Sequence, residues 1–161
     1  MTMSQFVVPF DDLSTGAVAD TFKTMAAVQA ADTAGYRCRI RKITVGPAAD
    51  TPVDRNVAII LQRVDDVSAG GSGTKTAATP TQKDSLSAAA VCAGGVNYTA
   101  EPTVYGTDLF AIEMNLRNSL VMEWTPEDAP IVNRDQLIGL LVAPRSANAE
   151  SVSGCIEFEE F

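Results

Sequence analysis

The chain has 161 residues, of which 46% are hydrophobic and 20% charged, and its formal net charge is -8. This composition is typical of one globular domain over residues 1–161, and it excludes the disordered class. A membrane-spanning class is excluded because no apolar run approaches the ~20 residues that cross a bilayer. The acidic excess also argues against nucleic acid as a partner, since phosphate backbones attract basic surfaces.

The first predicted element is residues 4–10, SQFVVPF. Pro9 lacks an amide hydrogen, which confines this run to a sheet edge or to an extended arm. An arm over residues 1–12 would add a strand to a partner or place Phe6, Val8 and Phe10 in a groove on it. The alternative is an ordinary first strand of the domain, and both interpretations stay open here.

The next segment, ADTFKTMAAVQAAD, is ambiguous. Its alanines favour a helix, whereas Phe22, Thr24, Ala26, Val28 and Ala30 would line one face of a strand. The alternation leads us to predict a strand.

Alternation is clearest in residues 36–45, YRCRIRKITV, which predict a half-buried strand. Arg37, Arg39 and Arg41 lie on its polar face. We consider this basic face a candidate contact surface, and the alternative is that neighbouring acids pair with it. The apolar phase slips by one residue after Lys42, so a bulge is expected near Arg41 and Lys42.

Two runs, NVAIIL at 56–61 and LIGLLV at 137–142, are apolar on both faces, which predicts central strands covered on both sides. Between them, DLFAIEMNL and LVMEW alternate and are separated by a short turn at Asn118 and Ser119. The C-terminal SVSGCIEFEEF alternates as well. The residues expected to face inward in the two middle runs are Phe110, Ile112, Met114, Leu116, Leu120, Met122 and Trp124.

The glycine-rich run GGSGTKTAAT at 70–79 invites comparison with a phosphate-binding loop. In that motif a lysine follows a glycine directly and a helix comes next, but Lys75 follows Thr74 and no helical apolar stripe comes after it. We therefore predict a plain mobile loop, within a stretch from Val67 to Gly95 where regular structure is doubtful.

Turn residues separate these elements at short intervals, and no helices alternate with them. The pattern predicts an all-β antiparallel sandwich or barrel with about eight or nine strands.

Catalytic chemistry has few candidates in this sequence. Histidine is absent, which removes the commonest general base and the commonest metal ligand. The acidic residues of the second half show no spacing that selects a catalytic pair and are interpreted as solvent-facing. We therefore expect no catalytic site, no metal and no cofactor. The acids considered are Glu101, Asp108, Glu113, Glu123 and Asp128.

The three cysteines, Cys38, Cys92 and Cys155, lie far apart without the CxxC spacing of a zinc or redox site. They are interpreted as reduced, buried thiols, with one disulfide formed in an oxidising medium as the alternative.

The run SLVMEWTPEDAPIVNRDQLIGLLVAP has the layout of jelly-roll virion proteins: a strand ending in an aromatic residue, an acidic turn with prolines, and an apolar strand after a polar corner. With GYRCRIRKITVGPAAD, GSGTKTAATPTQKD and CIEFEEF, it makes the chain from Gly35 onward resemble small structural proteins of tailed bacteriophages, above all capsid decoration (cement) proteins.

This resemblance implies the sandwich, a jelly-roll-like antiparallel β-sandwich. It also implies a non-enzymatic protein, made in the host cytoplasm, that binds the outside of the capsid lattice and stabilises the head. It also implies a homotrimer whose partner is the major capsid protein. The candidate interface residues are Phe6, Val8, Phe10, Arg37, Arg39 and Arg41.

The alternative function is a carbohydrate-binding module of a phage tail or host-attachment structure. Such a module needs exposed rings on which a sugar stacks. The candidate rings are Trp124, Tyr36, Tyr98 and Tyr105. Tyr98 and Tyr105 are the best of them, and Trp124 has the inward phase of its strand. A carboxylate-based enzyme is the third and weakest interpretation.

Overall fold

The computed structural model describes residues 4–30, 36–48, 53–64, 73–84, 88–102, 106 and 108–161. Within these ranges the chain is all-β, without a helix, and has twelve strands. They are β1 (Ser4–Ser14), β2 (Lys23–Gln29), β3 (Cys38–Pro47), β4 (Asn56–Val64), β5 (Thr74–Ala78), β6 (Thr81–Gln82), β7 (Ala93–Ala100), β8 (Asp108–Asn115), β9 (Leu120–Glu123), β10 (Ile131–Val132), β11 (Leu137–Pro144) and β12 (Ser151–Glu160).

The strands form two antiparallel sheets of six strands each, which confirms the predicted sandwich. Sheet A has the order β6-β1-β12-β3, and β9 and β10 both pair with the remaining side of β3. Sheet B has the order β5-β7-β2-β11-β4-β8. The pairing is nested: β1 pairs with β12, β2 with β11, β3 with β9 and β10, and β4 with β8. A chain rolled up in this way is a jelly roll.

The N-terminal segment is an ordinary strand of sheet A. β1 pairs with β12 along its length, and Phe6, Val8 and Phe10 are 0%, 0% and 5% exposed. The Phe6 ring stacks on Phe158, with centroids 5.5 Å apart. β6 pairs only with the start of β1, so Pro9 lies beyond that short ladder, where its missing amide hydrogen is tolerated.

Two bulges set which side chains reach the core. In β3, Lys42 lies opposite Glu157 and Ile40 opposite Phe158, which leaves Arg41 as the extra residue and confirms the bulge expected there. β2 is a strand as predicted, but its register with β11 shifts so that Met25 is an extra residue. Met25, Ala26, Val28 and Ala30 therefore belong to the main core, whereas Thr24 does not.

β4 and β11 are covered on both faces of sheet B, as their sequences predict. All residues of β11 are buried. A second small cluster of Ala27, Val64, Tyr98 and Leu137 packs apart from the main core.

The β7–β8 connection is hydrogen-bonded to sheet B near both of its ends. Glu101 accepts hydrogen bonds from the backbone N–H and the hydroxyl of Thr24, and the Gly106 N–H donates to the Arg63 carbonyl at 2.7 Å.

The structure has twelve strands where about eight or nine were expected, because part of the chain interpreted as loop is strand. β5 occupies half of the glycine-rich run, and β6 and β10 are only two residues long. β5 extends sheet B beyond β7, and β6 extends sheet A beyond β1. Residues 65–72, which include the start of the glycine-rich run, lie outside the described residues.

Candidate interaction surface

The two sheets end side by side along β8 and β9. Over the described part of the chain, β8 pairs only with β4, and β9 and β10 pair only with β3, so no strand lies beyond them. The rings of Phe110 in β8 and Trp124 just after β9 meet edge to face, with centroids 6.5 Å apart. At the other side of the sandwich β5, β6 and β7 extend both sheets. The side formed by β8, β9 and β10 is therefore one open side of the sandwich.

Three of the six large apolar side chains that are exposed among the described residues lie on the strands of this side. Val121 in β9 is 55% exposed, Ile112 in β8 is 41% exposed and Ile131 in β10 is 37% exposed. The inward-facing residues nearby are only partly buried, since no further strand covers them. We call this surface the open flank; its residues are Phe110, Ile112, Leu120, Val121, Met122, Trp124 and Ile131.

Backbone and side-chain bonds hold the open flank in shape. The Arg63 guanidinium, from sheet B, donates to the Ile131 carbonyl in sheet A at 3.0 Å. Between β9 and β10 the chain leaves the edge of β3 in a turn, in which the Thr125 hydroxyl bonds the Asp128 carboxylate at 2.9 Å. The exposed side chains are thus presented by paired strands and a closed turn, which is the kind of surface that binds with little loss of conformational entropy.

The predicted basic face is paired with acids inside the chain, which is the alternative that the sequence left open. Glu159, whose side chain is 5% exposed, lies 2.8 Å from the Arg41 guanidinium and 3.7 Å from Arg39 Nε. Arg39 also stacks over the Phe161 ring, at 4.2 Å from its centroid. Arg37 is exposed, and its backbone pairs with that of Phe161. Arg39 and Arg41 therefore stabilise sheet A.

A second ion pair lies beside it on the same sheet. Lys42 Nζ is 3.0 Å from the Glu123 carboxylate in β9, and this hydrogen bond raises the pKa of Lys42. The two residues are directly opposite in the β3–β9 ladder. Most of the basic charge of β3 is thus compensated within sheet A, so the face offers little net attraction to an acidic partner.

The three apolar candidates of the N-terminal segment need a correction. Phe6, Val8 and Phe10 belong to the main core between the sheets. These residues have the same every-second-residue spacing in an extended arm as in a strand, and only the pairing with β12 shows that the segment is a strand of the domain. In this chain they hold the sandwich together and are no contact surface.

Tyr98 does not offer a ring for a sugar, because it is 1% exposed and packs in the second cluster. Lys75 lies 6.0 Å from the centre of this ring, and its ammonium donates to Gln29 at 2.9 Å. Burial lowers the pKa of Lys75. Of the other stacking candidates, Tyr36 is 43% exposed and Tyr105 lies outside the described residues.

The acids considered for catalysis are engaged with separate neighbours. Asp108 bonds Gln62 at 2.7 Å, and Glu113 accepts from Asn56 at 3.3 Å. Glu101 binds the β2 backbone as described above. Among the described residues no group of three or more metal-ligating side chains could hold a metal ion. Nor does that part of the chain contain a helix long and apolar enough to cross a membrane.

Sequence reasoning missed the open flank. Alternation gives the correct face for Phe110, Met122 and Trp124 but says nothing of whether another strand covers them. The one available signal was Val121, an aliphatic residue on the outward phase of its strand.

Comparison with protein-family models, with curated proteins and with solved structures finds no match for this chain.

Proposed function

We propose that this protein is a structural component of a tailed-phage virion that binds the outside of the capsid lattice as a homotrimer and stabilises the head. The observation that carries the proposal is the open flank, an apolar side of a jelly roll whose other side is extended by β5, β6 and β7. The layout of the sequence, which resembles capsid decoration proteins, supports the same function.

The free energy available from the exposed side chains of the open flank is small compared with the cost of association, which favours contacts that are repeated by symmetry. Burying the exposed parts of Val121, Ile112 and Ile131 stabilises a contact by about 1 kcal/mol for each side chain. Association costs about 4–15 kcal/mol of lost translational and rotational freedom, so these three side chains alone do not hold two copies together. The contact between copies therefore also includes the partly buried rings of the open flank and the unpaired edges of β8 and β9. Each subunit of a closed ring makes two such contacts, and a lattice multiplies them further.

Threefold symmetry determines which kind of surface on a neighbouring copy the open flank contacts. A flank that met its own copy would give a twofold dimer, whereas a ring of three needs two different surfaces on each subunit. The open flank of one copy accordingly packs against another surface of the next copy. The assembled trimer then occupies a threefold position of the capsid, where it bridges neighbouring capsid subunits.

Sedimentation velocity tests the oligomer with a matched pair of variants. The wild type is expected near three times 17.0 kDa. Val121→Arg places a charge in the flank and is expected to sediment as a monomer, whereas Val18→Arg changes a side chain that is 65% exposed in the β1–β2 connection and is expected to stay trimeric. A monomeric or dimeric wild type would contradict the proposal.

Co-sedimentation with intact heads of the virus from which the sequence comes tests the partner. Wild type and Val18→Arg are expected to saturate the heads at one fixed ratio of copies to capsid subunits. Val121→Arg is expected to bind weakly, because it loses avidity. Absence of saturable binding by the wild type would refute the capsid as the partner.

A further inference from the structure

Two of the three cysteines meet at one end of the sandwich. Cys38 is the first residue of β3 in sheet A, and Cys92 directly precedes β7 in sheet B. They are 0% and 2% exposed and belong to the same core cluster, and the neighbouring Cys92 thiol raises the pKa of Cys38. The third, Cys155, lies in β12 opposite Pro9 and is only partly buried.

Glu160 holds the backbones of the two cysteines together. It lies directly opposite Cys38 in the β3–β12 ladder. Its carboxylate accepts hydrogen bonds from the backbone N–H groups of Val91 at 2.8 Å and Cys92 at 2.6 Å. Through this one side chain, the backbone of Cys92 is bonded to the strand pair that contains Cys38. The backbones of both cysteines are therefore held close to each other.

We propose that Cys38 and Cys92 form an intramolecular disulfide that joins sheet A to sheet B when the protein meets a low-molecular-weight disulfide such as oxidised glutathione. This inference does not rest on the proposed function. In a reducing cytoplasm the pair stays as two thiols, and in an oxidising medium it becomes a covalent link between the sheets.

The reaction is two thiol–disulfide exchanges. In the first, a cysteine thiolate attacks the S–S bond of oxidised glutathione, forms a mixed disulfide and releases one glutathione thiolate. In the second, the other cysteine attacks the protein-bound sulfur, forms the Cys38–Cys92 bond and releases the second glutathione thiolate. The two cysteine thiols lose two protons to solvent and two electrons to glutathione.

The structure indicates which sulfur reacts first. Cys92 lines a groove of about 300 Å³ together with Ala78, Pro80 and Gly94, whereas Cys38 has no exposed surface. The hydrogen bond to Cys92, burial and the nearby Glu160 carboxylate raise the pKa of Cys38, which keeps that thiol protonated near neutral pH. These differences favour Cys92 as the site of the first exchange and Cys38 as the thiol that resolves the mixed disulfide.

Refolding followed by peptide mapping tests the pairing. The reduced protein is unfolded in urea and refolded in a glutathione redox buffer, so that burial of the thiols does not limit the reaction. It is then alkylated and digested with trypsin without reduction. Cleavage after Arg and Lys places the three cysteines in separate peptides, 38–39, 84–117 and 146–161. We expect peptide 38–39 linked to 84–117, about 2 Da lighter than their sum, and alkylated Cys155 in the third. Three alkylated cysteines, or a link that involves 146–161, would overturn the proposal.

Urea unfolding supplies a second readout. Oxidation is expected to move the midpoint to higher urea in the wild type and in Cys155→Ser, which keeps the pair, and to leave it unchanged in Cys92→Ser. If Cys92→Ser fails to fold, the comparison between oxidised and reduced Cys155→Ser decides. A midpoint that falls on oxidation would show that the native fold does not accommodate the bond, and would also overturn the proposal.

Discussion

Replacement of Glu159 by glutamine probes whether the arginines of β3 stabilise sheet A. The Glu159 carboxylate is buried against the guanidinium of Arg41 at 2.8 Å and lies 3.7 Å from Arg39 Nε. It also accepts a hydrogen bond from the Gln5 amide at 3.1 Å. Glutamine keeps the size of the side chain and one acceptor oxygen but removes the charge.

The expected loss follows from burial. The side chains of Arg39 and Arg41 are 15% and 27% exposed, so solvent compensates their charges only in part. Breaking a buried ion pair costs about 3–5 kcal/mol, and a charged hydrogen bond contributes about 1.5–3 kcal/mol. Because the glutamine oxygen still accepts from Arg41, we expect the free energy of unfolding to fall by about 2–3 kcal/mol.

Glu123→Gln is the matched control. Its carboxylate pairs with Lys42 on the same sheet, but its side chain is 66% exposed. Exposed pairs contribute about 0–1 kcal/mol, and added salt screens them. The same chemical change is therefore expected to have a small, salt-sensitive effect at Glu123.

Urea unfolding followed by the fluorescence of Trp124, the single tryptophan, measures both variants. All samples are compared at one protein concentration, because association adds to apparent stability. The expected loss in Glu159→Gln corresponds to a fall of about 4–12 °C in Tm for a chain of this size. Equal losses below about 1 kcal/mol in both variants would refute the structural role of the arginines.

Three further perturbations test the sandwich itself. Phe158→Ala removes a fully buried ring that stacks in the core, and we expect a loss of about 3–5 kcal/mol in the same urea assay; a loss below about 1 kcal/mol would place the ring outside the core. Gly154→Ala is expected to cost about 3 kcal/mol because its methyl group would overlap a backbone carbonyl of β3, whereas Gly16→Ala, with open space and a φ of +82°, should lose only about 1 kcal/mol; the reverse order would contradict the β3–β12 register. Glu101→Ala removes the acceptor of the Thr24 N–H, so hydrogen exchange at that amide should speed up while amides of β12 stay unchanged. Unchanged exchange at Thr24 would contradict the fastening of the β7–β8 connection.

Much of the fold could be predicted because period-two alternation and turn residues are local signals. The bulge at Arg41 is an example, since a one-residue slip of the apolar phase is visible in the sequence and corresponds to an extra residue in the ladder. The buried faces of β4 and β11 were likewise predicted from runs that are apolar on both sides. β5 was missed, because its threonines, alanines and lysine carry no alternation and its position comes only from pairing with β7.

The open flank could not be predicted, since it depends on which strands lie next to one another. Phe10 and Phe110 both have the inward phase of their strands, but Phe10 is 5% exposed in β1, which pairs with β12, while Phe110 is only partly buried at the open edge of sheet B. Local pattern gives the direction of a side chain relative to its strand. Whether another strand covers that side chain depends on the pairing of the whole chain. For this reason the sequence led us to place Phe10 on a partner-binding surface and Ile112 in the core.

An image reconstruction of heads that carry the protein tests the central claim most directly. We expect density for three copies around a threefold axis on the outer surface, with the side chains around Val121 buried against a neighbouring copy. Density in which β8 and β9 face solvent, or heads that carry no such density at saturating protein, would contradict the account.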